Sequence, residues 1–460
     1  MSNTIQLTFS QQPSTPNLFG LLFIPDSTNT IYTFTTSEPS IRLTALTLVL
    51  DSTNLISIVI TGITTSFNIY TQDSCFANLT NLTTFTLNGT AIILPNLDDT
   101  AYPSTNILSG CSRLTHVQLG QTTVIYDFWF TDCTSLTTLA STNSIISINK
   151  SAFAFTNVGS TIFTACFTNV RTIGDSAFKD CNNLTQVTLP SFIETIGISV
   201  FFGCNNLTQI IFPPTSTIYT IIGDNTFSNI SGLTSITIPN YITNIGTING
   251  NSFGNCINLT SVFFQDNSQL TYIGQTTFSR CTALTNIILP GSLQTIDFGA
   301  FSGCPIISIV IPNQITNISA NLFNSCTSLQ SVTLPNNLIS IDSTAFGNCT
   351  ALTNIILPLS LTTIGPLAFG GCTALTSLTI PQTVTTIDST FLDYTNGITI
   401  ITNSSLSPIV AIINNINTDL ATHYLSSAIM LIIRKITPRK NQYNVFVNGG
   451  VMKWFYRDWD

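Results

Sequence analysis

A phenylalanine that recurs every 22 to 26 residues constrains this chain more than any other feature. The recurring residues are Phe178, Phe201, Phe227, Phe253, Phe278, Phe301, Phe323, Phe346, Phe369 and Phe391. A fixed internal period of this length is typical of repeat proteins, in which each repeat packs mainly against its two neighbours. The 460 residues therefore indicate one long array rather than several globular domains.

Two further columns keep a fixed phase with this phenylalanine. Three residues after it come Cys181, Cys204, Ile230, Cys256, Cys281, Cys304, Cys326, Cys349, Cys372 and Tyr394. Six residues after it come Leu184, Leu207, Leu233, Leu259, Leu284, Ile307, Leu329, Leu352 and Leu375. We expect all three columns to form the core of the array.

Each repeat continues with two short apolar segments. The first alternates with a period of two and ends in proline, as in residues 184–190 and 375–381, which predicts a strand with one buried face. Proline closes the strand because it has no N–H for a ladder. The second segment leads to an Ile-Gly or Ile-Asp pair, such as Ile196-Gly197 or Ile341-Asp342, which indicates a turn.

Read together as L-T-x-I-x-L-P-x-x-L-x-x-I-G-x-x-A-F-x-x-C, these residues resemble the BspA-like class of leucine-rich repeats. The match is strong from about 165 to 394, and Phe130-x-x-Cys133, Leu108-x-x-Cys111 and Phe76-x-x-Leu79 keep the phase upstream. The predicted fold is a mostly β solenoid of about 14 stacked rungs with a parallel sheet. The resemblance implies adhesion or recognition, since the family occurs in bacterial surface proteins, parasitic protists and some large DNA viruses.

The repeat pattern divides the chain into three parts. Residues 61–394 form the predicted solenoid. Residues 1–60 have β-like patterning without the Phe-x-x-Cys signature, and residues 395–460 lose the repeat. Because a repeat array must cover its terminal apolar faces, we expect an N-terminal β cap over 1–60 and a C-terminal cap or docking segment over 395–460.

Ten of the twelve cysteines, all except Cys75 and Cys166, fall in the repeat column. We expect a ladder of buried free thiols, since stacked side chains point in parallel and fit poorly with the torsion of a disulfide. Zinc is not expected, because no C-x-x-C pair occurs.

Asp297, Asp342 and Asp388 share a column with glycines and are interpreted as turn residues rather than calcium ligands. No cofactor is expected.

The charge of the chain argues against nucleic acid as a partner. Charged residues make up 7% of the chain and the net charge is -8, which disfavours nucleic acid because phosphate binding requires clustered Lys and Arg.

No apolar run approaches the roughly 18 residues of a membrane span, so no membrane insertion is expected. The first basic residue is Arg42, so no secretory signal of the usual kind is expected. The resemblance implies a cell or virion surface, and without it the cytoplasm is expected.

One column of the predicted strand faces outward, and about half of its members are apolar. Its members are Thr188, Ile211, Thr237, Phe263, Ile288, Val310, Thr333, Ile356 and Thr379. Val310 requires a one-residue shift, because its repeat is shorter. An exposed apolar stripe indicates a protein-binding surface, but β-branched residues also suit any strand. Both interpretations stay open, with Ile211, Phe263, Ile288, Val310 and Ile356 as candidate partner contacts.

The C-terminal residues concentrate basic and aromatic side chains. Half of the twelve Lys and Arg fall there, namely Arg434, Lys435, Arg439, Lys440, Lys453 and Arg457, and Trp454 and Trp459 lie among them. Trp, Tyr and Arg contribute most to interface energetics. We therefore expect either partner docking through Arg434, Lys435, Arg439, Lys440, Trp454 and Trp459 or simple capping of the last rung.

No catalytic motif, such as a Walker loop or G-x-S-x-G, is found in the sequence. The favoured function is a non-enzymatic binding or adhesion module that presents its repeat surface to a protein partner. The alternative is a structural or assembly subunit, for example a component of a large virus particle, which would self-assemble. Fold class alone does not separate these two hypotheses.

Overall fold

Each repeat folds into one turn of a β-solenoid in the computed structural model of this chain. The structure describes residues 76–95, 106–141, 145–395 and 398–402, together with further strands within 3–71 and 430–446. The prediction of a mostly β solenoid with stacked parallel sheets is confirmed, with about 13 turns. The chain divides into two compact units, Met1–Tyr219 with Asn225–Leu233, and Thr220–Asp224 with Thr234–Asp460.

The first unit contains the following strands and one short helix: β1 (Asn3–Phe9), β2 (Asn17–Leu18), β3 (Leu21–Leu22), β4 (Ile24–Pro25), β5 (Ile31–Thr36), β6 (Ser40–Leu43), β7 (Leu55–Thr71), β8 (Thr84–Pro95), β9 (His116–Gln118), β10 (Val124–Ile125), β11 (Thr138–Ala140), β12 (Ser147–Ile148), α1 (Thr161–Ala165), β13 (Thr172–Ile173), β14 (Gln186–Thr188), β15 (Thr195–Ile196) and β16 (Gln209–Ile211). Strands β7, β8, β9 and β11 form one parallel ladder, β10, β12, β13 and β15 a second, and β14 and β16 a third. Strand β1 pairs antiparallel with β5 and with residues 55–61 of β7, whereas β6 pairs parallel with residues 68–71 of β7.

The described residues of the second unit contain the following strands: β17 (Ile221–Ile222), β18 (Ser235–Ile238), β19 (Asn244–Ile245), β20 (Ser261–Phe264), β21 (Tyr272–Ile273), β22 (Thr295–Ile296), β23 (Ser308–Val310), β24 (Asn317–Ile318), β25 (Ser331–Thr333), β26 (Ser340–Ile341), β27 (Asn354–Ile355), β28 (Thr363–Ile364), β29 (Ser377–Ile380), β30 (Thr386–Ile387), β31 (Thr399–Thr402), β32 (Met430–Thr437) and β33 (Lys440–Phe446). Parallel pairing joins each residue to its equivalent one repeat later, as in Ser331 with Asn354. Strand β32 continues the ladder parallel to β31, and β33 then pairs antiparallel with β32.

The recurring phenylalanines form a continuous ring stack inside each unit. In the second unit Phe253, Phe278, Phe301, Phe323, Phe346 and Phe369 are fully buried, with successive centroids 5.4 to 5.8 Å apart and interplanar angles of at most 12°. In the first unit the stack runs from Phe130 through Phe153, Phe178 and Phe201 to Phe227. Each ring therefore contributes burial and ring contact to two neighbouring turns at once.

The column cysteines are free and buried beside this stack. In nine of them the thiol donates a hydrogen bond of 2.9 to 3.2 Å to a main-chain carbonyl one repeat earlier, as Cys326 does to Phe301. Burial raises the pKa of Cys111, Cys181 and Cys372 to about 12. Cys75 lies outside the described residues.

Two turns depart from the predicted register. Phe391 occupies the position of the alanine that precedes the phenylalanine elsewhere, because its carbonyl accepts the Phe369 N–H as that of Ala345 accepts the Phe323 N–H. Leu392 therefore takes the phenylalanine position, and the expected cysteine-column residue, Tyr394, is exposed. Thr395 takes the cysteine position instead and donates from Oγ1 to the carbonyl of Phe369 at 2.7 Å.

The second departure follows from a repeat that is one residue short after Cys304. Ile307, expected in the core, is 46% exposed, and Ile306 is fully buried in its place. The strand that follows has shifted by the same single residue, so Ile309 faces inward and Val310 outward. The shorter segment between Cys304 and the strand thus leaves residues 308–310 in register with residues 331–333 of the next turn.

Tight turns on both sides of each phenylalanine place residues in the left-handed region of backbone space. Around Phe278 these are Thr276 and Arg280, with φ of 49° and 57°, and around Phe301 they are Gly299 and Gly303, with φ of 59° and 73°. Only glycine adopts this conformation without steric cost. The solenoid nevertheless fills most of these positions with Asn, Ser, Thr or larger residues.

Candidate interaction surface

The structure places the predicted stripe on the outer face of the first strand of each turn. Side-chain exposure is 37% for Ile211, 57% for Phe263, 80% for Ile288, 65% for Val310 and 77% for Ile356. The residue before each of them in the chain is buried to 92% or more. The alternation of the strand thus turns these five side chains outward. Ile211 belongs to the first unit and the other four to the second.

A second outward column, which sequence reasoning missed, lies two residues before the stripe. In the second unit its members are polar and uncharged: Ser235, Ser261, Asn286, Ser308, Ser331, Asn354 and Ser377. The period of two that identified the stripe also locates this column, because residues two apart share a face. The strand face of the second unit therefore pairs an apolar or threonine column with a hydroxyl and amide column.

The ladder of this face is interrupted at residues 286–289. Strands β18 and β20 form one sheet and β23, β25 and β27 another, and the residues between them form no strand. In the described structure the main-chain groups of Asn286, Ile287, Ile288 and Leu289 make no hydrogen bond. The hydroxyl of Thr285 makes none either, although Thr260, its equivalent one repeat earlier, donates to the carbonyl of Thr234 at 3.0 Å.

Two grooves flank the unpaired segment. The groove toward β20 has a volume of about 730 Å³ and is lined by residues 260–265, 267–268 and 285–292. The groove toward β23 has a volume of about 590 Å³ and is lined by residues 286–289, 291, 308–313, 331 and 333. The two volumes fall in the range of small-ligand sites. Every side chain that lines them is uncharged.

Repeat length accounts for the position of the first groove. The step from Phe253 to Phe278 is 25 residues, and the next step is 23. The extra residues fall between β20 and Leu270, where Asn267 has a φ of 59°. This longer loop borders one end of the groove through Gln265, Asn267 and Ser268.

The three aspartates interpreted as turn residues accept hydrogen bonds, Asp297 and Asp342 from the preceding turn and Asp388 within its own turn. Asp297 accepts from the phenol of Tyr272 at 2.8 Å, Asp342 from the amide of Asn317 at 2.9 Å, and Asp388 from the hydroxyl of Thr390 at 2.7 Å. Burial and the Asp297 carboxylate together raise the pKa of Tyr272 to about 12. Within the described ranges, no cluster of three or more His, Cys, Asp and Glu side chains is arranged to hold a metal ion.

The C-terminal candidate residues are described only in part. Arg434 and Lys435 lie in β32, and Lys440 lies in β33, where the backbone pairs Arg434 with Tyr443. Arg439, Lys453, Trp454, Arg457 and Trp459 lie outside the described residues. Among the helices of the described chain, none is long and apolar enough to cross a membrane.

The family model of the BspA type leucine rich repeat region matches this chain in six overlapping copies, at residues 47–172, 102–221, 165–247, 215–329, 246–366 and 298–418. The chain belongs to the BspA-type leucine-rich repeat family. A comparison with curated proteins finds no match.

The chain is also similar to solved leucine-rich repeat proteins of bacteria. A protein from Bacteroides ovatus is 23% identical, with a TM-score of 0.56 over 81% of this chain and 86% of its own. A protein from Eubacterium ventriosum is 17% identical, with a TM-score of 0.44 over 74% of this chain and 90% of its own. A leucine rich cell surface protein from Faecalibacterium prausnitzii is 21% identical, with a TM-score of 0.41 over 88% and 97%.

Proposed function

We propose that this BspA-type chain is a non-enzymatic interaction or adhesion module that binds a protein partner on the strand face of its second unit. The observation that carries the proposal is the exposure of Phe263, Ile288, Val310 and Ile356 on that face. Strand propensity favours β-branched and aromatic residues at such a position, so it accounts for each residue singly but not for their exposure together on one face. Exposed apolar residues grouped on one face are typical of protein-binding surfaces.

Burial against a partner would stabilise the complex chiefly through apolar contact. Each fully buried Ile, Val or Phe side chain contributes roughly 1.5 to 3 kcal/mol. The chain has no Lys or Arg from residue 281 to 433, so this face has little positive charge with which to steer a partner. We therefore expect an association that depends weakly on ionic strength.

The C-terminal residues are proposed as a second contact. Arg434, Lys435, Arg439, Lys440, Trp454 and Trp459 combine the residue types that dominate interface energetics. In the same proposal residues 1–60 and 395–460 cap the solenoid, and residues 61–394 form its body. Surface display of the module is part of this proposal, and membership of the family supports it.

The test replaces Phe263, Ile288, Val310 and Ile356 together by Thr, the residue that Thr237, Thr333 and Thr379 already place in this column. We expect an unchanged circular dichroism spectrum and a loss of the partner recovered from the native source with the wild-type protein. The control variant replaces Ile248 and Ile339, which are exposed away from this column, by Thr. Equal recovery with both variants would contradict the proposal.

Sedimentation of the purified protein separates binding from assembly. A monomer that binds a foreign protein supports the interaction module. Self-association that the Thr variant abolishes would favour the assembly subunit instead.

A further inference from the structure

The interrupted ladder at residues 286–289 is a binding feature in its own right, and its grooves share Phe263 and Ile288 with the apolar stripe. Main-chain N–H and C=O groups are strong donors and acceptors that proteins almost always satisfy within a sheet. Residues 286–289 line both grooves. In the described structure their main-chain N–H and C=O groups have no hydrogen-bond partner. A ligand that enters the grooves meets donors and acceptors whose geometry the flanking turns already hold.

The opening is confined to the strand face. On the opposite side of the same turns the rings of Phe253, Phe278 and Phe301 remain stacked at 5.5 and 5.7 Å. An inserted β-strand requires the two flanking turns to move apart by about 4.8 Å in total, which this stacking does not permit. The grooves therefore suit a ligand that lies across the turns and places small polar groups between them.

The lining determines the charge of that ligand. All side chains of both grooves are uncharged, so an ionised ligand would lose hydration without a compensating partner. Asn286, Gln265, Asn267 and Ser308 supply amide and hydroxyl groups that both donate and accept. The ligand must offer closely spaced groups that also do both, which is the chemistry of a polyol.

An exposed aromatic ring completes the site. Phe263 lines the first groove and is 57% exposed, although its equivalent in the preceding turn is Thr237. The apolar C–H face of a pyranose ring packs against an aromatic side chain, while its hydroxyls hydrogen-bond around the rim. Phe263 and Asn286 therefore lie in one groove as the apolar and polar halves of a sugar site.

We propose that the grooves flanking residues 286–289 bind a neutral oligosaccharide, with Phe263 packing against a sugar ring and Asn286 hydrogen-bonding its hydroxyls. The unpaired main-chain groups of residues 286–289 provide the remaining hydrogen bonds. This inference goes beyond the proposed protein partner and does not depend on it, because the ligand is a free saccharide.

The experiment is calorimetric titration of the full chain with neutral linear hexasaccharides of glucose, mannose, galactose and N-acetylglucosamine. We expect at least one of them to bind, and Phe263→Thr and Asn286→Ala each to weaken its binding by about fivefold or more. The matched controls are Ile356→Thr and Asn354→Ala, which change the same two columns in a turn outside the two grooves. These controls should leave the affinity unchanged.

Several outcomes would overturn the proposal. It fails if none of the neutral hexasaccharides binds, or if the Asn354→Ala control weakens binding as much as Asn286→Ala. Tighter binding of a sulfated hexasaccharide would contradict the neutral ligand. Binding of a neutral Ser-, Thr- and Ile-rich peptide in the absence of saccharide binding would assign the grooves to a polypeptide instead. Loss of the protein partner in the earlier test leaves these titrations unaffected.

Discussion

The thiol of Cys349 donates a hydrogen bond of 3.2 Å to the main-chain carbonyl of Phe323, one repeat earlier. The same bond recurs along the column, so each cysteine ties its own turn to the one before it. Thr395 makes the equivalent bond to Phe369 from its hydroxyl at 2.7 Å. A hydroxyl can therefore replace the thiol in this column, whereas Ile230 fills the same position without a donor.

Thiol reactivity provides the first prediction. Burial raises the pKa of Cys111, Cys181 and Cys372 to about 12, which leaves almost no thiolate at neutral pH. We expect an aromatic disulfide reagent to modify few cysteines in the native protein and all twelve in denaturant. Rapid modification of most cysteines under native conditions would contradict the buried ladder.

Alkaline pH should destabilise the fold. The pKa of these three thiols rises from 9.0 to about 12 on folding, so above pH 9 the unfolded chain loses protons that the folded chain retains. The free energy of unfolding then falls as pH rises, by at most about 1.4 kcal/mol per pH unit for each thiol, until the folded pKa is reached. Denaturant unfolding between pH 8 and pH 11 measures this slope, and a flat profile would refute the prediction.

The donor in the column can be isolated with an isosteric pair of variants. Cys372→Thr retains a donor toward the carbonyl of Phe346, as Thr395 does toward Phe369, whereas Cys372→Val removes it. We expect the Thr variant to be more stable than the Val variant by about 1 kcal/mol, the usual net worth of one hydrogen bond. Equal stability would show that the column requires only volume. The Thr variant should also lower the alkaline slope.

The phenylalanine stack predicts a local stability effect. Phe346 is fully buried between Phe323 and Phe369, at centroid distances of 5.6 and 5.4 Å, so truncation to Ala leaves a cavity in two contacts at once. We expect a cost of about 3 to 5 kcal/mol. Hydrogen exchange should show lost protection around residues 323 to 375, because a linear array opens locally. The exposed Phe192→Ala variant should leave protection unchanged.

The left-handed turns predict opposite effects at two glycines. Gly303 has a φ of 73°, and a Cβ added there would make only ordinary contacts, the nearest with Cγ of Arg280 at 3.7 Å, so Gly303→Ala should cost about 1 kcal/mol from backbone conformation alone. A Cβ added at Gly291 would meet no atom within 4 Å, and Gly291 has no left-handed φ, so Gly291→Ala should be neutral or slightly stabilising. Thermal unfolding of both variants measures the difference, and equal melting temperatures would contradict the strain argument.

The solenoid and its core columns could be predicted from the sequence because three residue columns share one phase. The phase failed where a turn departs from the Phe-x-x-Cys signature. Phe391 was assigned to the phenylalanine position, but it occupies the alanine position that comes one residue earlier in the repeat. Leu392 occupies the phenylalanine position instead. Phe153 was missed altogether, although it stacks on Phe130 and Phe178, because Thr156 replaces the cysteine that marked other turns.

The grooves beside Ile288 could not be predicted from the sequence. Residues 284–290 read as an ordinary strand, and their local pattern is the same as that of residues 352–358, where Asn354 and Ile355 form β27. The difference arises from the neighbouring turns, one lengthened after β20 and one shortened before β23. Ladder pairing depends on how three turns fit together, and no single repeat contains that information.

Strand residues of the repeats pair with their own equivalents one repeat later, which has a consequence for how such a chain can change length. Removing one complete repeat, for example residues 324–346, brings together Phe323 and Gly347 and leaves each remaining turn facing a surface of the kind it faced before. Removing only half of that segment would instead shift the register, so that the alanines of one turn would stack on the cysteines of the next and its strands on turns. Chains of this architecture can therefore grow or shrink in whole repeats, and the reach of the strand face changes in steps of one turn.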